Sequence, residues 1–147
     1  MNYDIQPSKE IAVDVRLAKY SISAEGNPAN DEAMINAGAY HAQQAVEKCL
    51  KFYLRDVFGE DETDRRFRIH DISTLCTRLK DRYDFSVDNG LFEMADDITE
   101  WEANSRYNHS LVTERTKIEK AILLAENIID KLFDLNLWEG DHIFLSY

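Results

Sequence analysis

The segment ANSRYNHS, residues 103–110, contains the residue types of this chain best suited to proton transfer. Arg106 and His109 are three positions apart, so on a helix both side chains would lie on the same side. A histidine that titrates near neutral pH can move a proton, and an arginine can stabilise charge on a phosphate. The pair could therefore serve RNA cleavage. The alternative is a helix end, where Arg106 pairs with carbonyls or acids and His109 is a surface loop residue.

A second set of polar residues lies in the segment AYHAQQAVEK, residues 39–48. His41, Gln44 and Lys48 follow one another at helical spacing and would form one polar stripe, with Gln43 and Glu47 beside it. Such a stripe could bind a nucleotide phosphate or line a dimer interface. A stripe that faces solvent or another subunit without binding a ligand is the more ordinary arrangement.

The charge of the chain limits its partners. With 147 residues and a net charge of −11, it lacks the excess of Lys and Arg that general nucleic-acid binding needs, and we expect no DNA partner. Residues 65–82 nevertheless carry six Arg and Lys against two Asp. This basic segment could contact the phosphates of a nucleotide or RNA, or it could complement acidic helices. Its candidate contact residues are Arg65, Arg66, Arg68 and Arg78.

Metal and cofactor sites are not expected. Glu93, Asp97 and Glu100 share a helical face, but one helix cannot complete a cation site, and a solvated acidic face is the simpler interpretation. The two cysteines, Cys49 and Cys76, are far apart and lack metal-binding spacing. We interpret both as reduced core residues. No glycine-rich phosphate loop is present, and no cofactor is predicted.

Apolar residues at helical spacing predict an all-α fold. We expect an up-and-down antiparallel bundle of four main helices plus a peripheral N-terminal helix, in one domain over residues 1–147 with its core at about 8–136. Residues 137–147 would form a C-terminal tail that docks on the bundle or on a partner.

The N-terminus lacks the features of a signal peptide and no apolar run could span a membrane, so a cytoplasmic protein without a membrane partner is expected. The first predicted helix follows Pro7 and Ser8 and runs to near Glu25, and the second runs from Asn30 to about Phe58. The third starts at an Asp71 cap, the fourth carries Leu91 to Ser105, and the fifth starts near Thr113.

Three segments resemble the HEPN domain family in their order and spacing: AYHAQQAVEKCLKFYL (39–54), IHDISTLCTRL (69–79) and ITEWEANSRYN (98–108). The resemblance covers about residues 8–136. It implies a helical bundle that often dimerises and occurs in prokaryotic toxin and antitoxin modules, beside minimal nucleotidyltransferases. Some members are metal-independent ribonucleases in which an Arg is followed, after four to six residues, by a His, with two such motifs facing across a dimer. Here two residues separate Arg106 from His109, and the Arg106–Tyr107 pair resembles the non-nucleolytic branch.

The expected function is therefore a dimeric helical interaction module. It would act with a partner, such as a minimal nucleotidyltransferase in a toxin–antitoxin system, and bind nucleotide or RNA. Tyr107 joins the residues expected to contact that ligand or partner. One alternative is a metal-independent endoribonuclease that uses Arg106 and His109 across a dimer interface. Another is a structural bundle that binds a protein through its acidic surface.

Overall fold

The computed structural model describes residues 7–23, 28–59, 71–84, 89–107 and 113–135. These ranges contain no strand, and their helices form an all-α bundle, which confirms the predicted fold class. The predicted C-terminal tail lies outside them. The helices are α1 (Pro7–Ser23), α2 (Pro28–Phe52), α3 (Ile72–Tyr83), α4 (Asn89–Tyr107) and α5 (Arg115–Asp134), with a π-helical turn at Tyr53–Val57 after α2.

Helix α2 lies at the centre of the bundle and packs against each of the other four helices. Its small residues Ala39, Ala42 and Ala45 are buried, which lets neighbouring helices approach its backbone. The peripheral helix predicted at the N-terminus, α1, packs more extensively on α2 than any other helix does. Burial of these apolar faces is the main driving force for the fold.

The closest approach between α1 and α2 is at Gly38. A Cβ atom placed on Gly38 would lie 2.6 Å from Cγ2 of Ile22 and 3.5 Å from the carbonyl oxygen of Ala18. The first distance is far shorter than a carbon–carbon contact allows. Only glycine therefore fits this position without a shift of the Ile22 side chain or of α1.

Local capping residues define the limits of α3. The carboxylate of Asp71 accepts a hydrogen bond from the backbone amide of Thr74 at 3.2 Å, which confirms the predicted N-cap. At the other end, Asp84 adopts a left-handed conformation, with φ of +51°, and its amide donates to the carbonyl of Lys80. In α1, by contrast, the predicted cap Ser8 lies inside the helix. Proline is favoured in the first helical turn because its missing amide needs no partner there, so α1 starts at Pro7.

The end of α2 differs from the continuous helix predicted up to Phe58. The amide of Phe58 donates to the carbonyl of Tyr53 at 3.1 Å, five residues back, which widens the last turn. Gly59 follows with φ of +73°, a conformation that glycine adopts without steric cost. The Phe58 ring then stacks on Tyr83 of α3, with centroids 4.2 Å apart.

Replacement of Gly38 by alanine tests the approach of α1 to α2. Overpacking costs about 1–3 kcal/mol, and the better helix propensity of alanine recovers about 1 kcal/mol. We therefore expect Gly38→Ala to lower the free energy of unfolding by up to about 2 kcal/mol in urea denaturation. In an Ile22→Ala background the clashing atom is gone, so the same change should be neutral or stabilising. An equal loss in both backgrounds would contradict the contact.

Candidate functional site

The predicted polar stripe of α2 joins α2 to α1. Nδ1 of His41 lies 3.0 Å from one carboxylate oxygen of Asp14, and Nζ of Lys48 donates to the other oxygen at 2.7 Å. Asp14 is on α1 and is only 7% exposed, whereas the side chains of His41 and Lys48 are 25% and 34% exposed. A buried carboxylate is tolerated only when charged or hydrogen-bonding groups compensate it, and these two groups supply that compensation.

The Asp14–His41–Lys48 cluster contains groups that could transfer a proton, but its geometry is that of a contact between two helices. A carboxylate that orients an imidazole is one half of many general-base sites. Here, however, both oxygens of Asp14 face groups on α2, so the cluster connects two helices. The ring of Tyr40 meets His41 edge-on with centroids 5.1 Å apart, which further restrains the imidazole.

The remaining polar residues of the stripe pair within α2. Gln43 is fully buried and donates to Glu47 at 2.8 Å, and Lys51 donates to the other Glu47 oxygen at 2.8 Å. Gln44, a predicted contact residue, donates to the side-chain oxygen of Gln43 at 2.7 Å. Glu47 is itself only 5% exposed. Sequence reasoning placed Gln43 and Glu47 beside the stripe, but it did not reveal that they form a buried network.

A surface groove of about 360 Å³ runs along the outward side of α3. Among the predicted contact residues, Arg78 lines this groove, while Arg65, Arg66 and Arg68 lie outside the described residues. Periodicity alone did not identify the groove, because the hydroxyl-bearing residues of α3 match any solvated helix face. Its described lining residues are Ser73, Thr74, Thr77, Arg78 and Arg82.

Helix α4 fixes the start of α3 beside this groove. The hydroxyl of Thr99 accepts a hydrogen bond from the amide of Ile72 at 2.9 Å and donates to the carbonyl of Ala95 at 2.8 Å. Thr99 therefore caps α3 from a neighbouring helix. Thr99 and Asp71 thus accept hydrogen bonds from backbone amides in the first turn of α3, and the groove beside it is lined by side chains.

The Arg106/His109 pair spans the end of α4. The helix ends at Tyr107, so the backbone of Arg106 belongs to its last turn and His109 comes after it. The side chains of Arg106 and Tyr107, and all of His109, lie outside the described part of the chain. Only the backbone position of Arg106 and Tyr107 in α4 is therefore established.

The acidic face of α4 is exposed at Glu93, Asp97 and Glu100. Lys117 of α5 pairs with Asp97 at 3.4 Å, in an exposed ion pair of the kind that contributes little to stability. Within the described ranges, no three His, Cys, Asp or Glu side chains come together as a metal site would require. The structure therefore places these acids on a solvated surface.

Both cysteines are core residues, as interpreted from the sequence. Cys49 and Cys76 are buried and form no disulfide. Burial, with a smaller contribution from the charge of Asp14, raises the pKa of the Cys49 thiol far above its usual value. Burial and the charge of Asp71 raise the pKa of Cys76 to about 12. Because only the thiolate is a good nucleophile, neither residue suits covalent catalysis.

Comparison with known protein families decides the wider assignment. One family model, the HEPN domain, matches residues 17–135, which include the last seven residues of α1 and all of α2 to α5. The chain belongs to the HEPN domain family. No curated protein and no solved structure matches this HEPN chain. Across the described residues, no helix has both the length and the apolar character needed to cross a membrane.

Neutralising Asp14 tests whether the cluster stabilises this HEPN domain. Asp14→Asn leaves Lys48 and His41 without their shared carboxylate. Because those partners are partly solvated, we expect a loss of about 1–3 kcal/mol in unfolding free energy, less than for a fully buried pair. Chemical denaturation measures this loss. The matched control is Glu119→Gln on the exposed side of α5, which should change stability by less than about 0.5 kcal/mol. Equal effects of the two variants would show that the cluster contributes nothing.

Proposed function

We propose that this HEPN domain is an interaction module that dimerises and acts with a protein partner. The partner we propose is a minimal nucleotidyltransferase in a toxin–antitoxin-type system, and the ligand is a nucleotide or RNA bound through the basic segment. Membership of the HEPN family supports this proposal, because toxin–antitoxin and ribonuclease roles are frequent in that family. Catalysis by this chain is not required.

The observation that carries the proposal is an apolar stripe on the outer side of α1. Val13, Leu17 and Tyr20 are 51%, 40% and 58% exposed, although they lie on a helix whose other side is fully buried. They follow one another at four- and three-residue spacing, so they form one continuous row. Single exposed apolar residues are common, whereas a contiguous row of three large ones on one helix face is suited to contact with a partner.

A second copy of the chain suits this stripe. A helix face can pair with the same face of another copy across a two-fold axis, which closes the assembly as a dimer. In an antiparallel pair centred on Leu17, the Leu17 side chains of the two copies would meet, and Val13 of each copy would lie beside Tyr20 of the other. Tyrosine is among the residues that contribute most to binding energy in protein interfaces, and apolar neighbours such as Val13 and Leu17 would exclude water around Tyr20.

The internal use of the α2 polar stripe also supports a binding role. A catalytic stripe would present its groups to a substrate, whereas His41 and Lys48 both contact Asp14. The endoribonuclease alternative therefore rests on Arg106 and His109 at the end of α4. Their spacing, with two residues between them, differs from the family's nucleolytic motif.

A charge placed on the α1 stripe tests the dimer. We expect the wild type to elute at twice the monomer mass in size-exclusion chromatography with light scattering. Leu17→Glu would put like charges on both sides of the interface and should weaken dimerisation at least about tenfold. The matched control is Leu123→Glu, which makes the same change at a 60% exposed leucine of α5. A monomeric wild type, or a dimer lost only with Leu123→Glu, would refute the α1 interface.

RNA cleavage distinguishes the module from the enzyme. We expect the purified dimer to leave a mixed-sequence RNA intact in EDTA, because the proposed function requires no bond cleavage by this chain. Arg106→Ala and His109→Ala are assayed beside the wild type, with matching elution profiles as evidence that all three fold alike. Cleavage by the wild type that disappears in both variants would overturn the proposal and establish the endoribonuclease.

A further inference from the structure

The groove on α3 combines hydroxyl and guanidinium groups in two adjacent rows. Ser73 and Thr77 are four residues apart, and Thr74, Arg78 and Arg82 continue at the same spacing. Residues four apart lie above one another on a helix, so the two rows run along its axis. The hydroxyls lie toward the start of α3 and the two arginines toward its end. From Ser73 to Arg82 the groove extends about 14 Å along the helix.

These groups match the chemistry of a phosphate. Guanidinium groups form charge-assisted, often bidentate hydrogen bonds with phosphate oxygens, and serine and threonine hydroxyls donate to the same oxygens. The volume of about 360 Å³ lies within the range of small-ligand sites. The groove also lies in the part of the sequence with a local excess of positive charge, on a chain whose net charge is −11. The positive charge of the groove is therefore local and does not reflect a general attraction of the chain for anions.

Packing outside the groove restrains its arginine end. The guanidinium carbon of Arg82 lies 5.9 Å from the centre of the Tyr83 ring, within cation–π range. The Tyr83 ring is itself stacked on Phe58, with an angle of 8° between the ring planes. Less side-chain freedom is then lost when a ligand binds, which favours affinity.

We propose that the α3 groove is a binding site for a phosphoryl group, held by Arg78 and Arg82 and positioned by the hydroxyls of Ser73 and Thr77. This inference rests on the ligand part of the proposed function and names the groups that bind the phosphate. The length of the groove suits two or more consecutive phosphates. A polyphosphate and the backbone of a single-stranded RNA both offer this chemistry, and the test separates them.

Binding is measured by calorimetry with inorganic pyrophosphate, with ATP and with a short single-stranded RNA, each added to the full chain. Arg78→Gln and Arg82→Gln should each weaken binding about tenfold or more, the effect expected for loss of a charge-assisted hydrogen bond. Thr77→Val, which keeps the shape of the side chain, should weaken it about fivefold. The matched control is Arg115→Gln, which removes the same charge from an exposed position on α5 and should leave affinity unchanged.

A variant with the opposite effect separates binding from folding defects. Asp81 is exposed and follows Thr77 by four residues, on the hydroxyl row. Its carboxylate repels a bound phosphate, so Asp81→Asn should strengthen binding several-fold. A protein that has merely lost its fold cannot produce this gain.

Four results would overturn the inference. Wild type that binds none of the three probes would refute both the groove and the ligand part of the proposed function, without affecting the dimer. Binding that the groove variants leave unchanged would refute the groove alone. Equal weakening by Arg115→Gln, or competition by chloride as strong as that by inorganic phosphate at the same ionic strength, would reduce the effect to general charge attraction. Among supporting results, tight binding of RNA alone would identify a nucleic-acid backbone as the ligand, and tight binding of pyrophosphate or ATP would identify a polyphosphate.

Discussion

The contact between Gly38 and the end of α1 is the constraint on which the rest of the structure depends. The missing side chain lets Ile22 and the backbone of Ala18 reach α2. That approach places the buried side of α1 close enough for Asp14 to meet His41 and Lys48 at hydrogen-bond distance. The polar cluster is therefore a consequence of an apolar fit. The Asp14 carboxylate can be buried there because His41 and Lys48 compensate it.

The bundle separates the polar groups that maintain its structure from those that it presents outward. On α2, the buried Gln43 and Glu47 satisfy each other, and the Asp14 cluster ties α1 to the centre. On α1 and α3, the outward sides differ in character, one an apolar row and the other a groove of hydroxyls and arginines. Such a division suits a protein whose activity consists of contacts, because its surfaces can change while the central helix is kept.

The sequence predicted the features that depend on neighbouring residues. Periodic apolar positions predicted the five helices. The Asp71 cap could be predicted because its carboxylate accepts a hydrogen bond from an amide only three residues later, that of Thr74. The partner of His41 and Lys48 could not be predicted in this way. Asp14 lies 27 positions before His41, and periodicity does not say which helix faces which. The cap that Thr99 provides for α3 could not be predicted for the same reason, since it joins two different helices.

The π-helical turn after α2 has a consequence for how this fold tolerates changes in length. A widened turn accommodates one residue more than an α-helix would at the same point, and here it directs Phe58 toward Tyr83. Deletion of one residue from Tyr53–Val57 would restore the α-helical pattern and leave Phe58 close to its present angle, whereas deletion of one residue within α2 would rotate everything beyond it by about 100° around the helix axis. Phe58 would then point away from α3. The irregular turn is thus the part of the central helix where a change of one residue can be absorbed without altering the direction in which the chain leaves it.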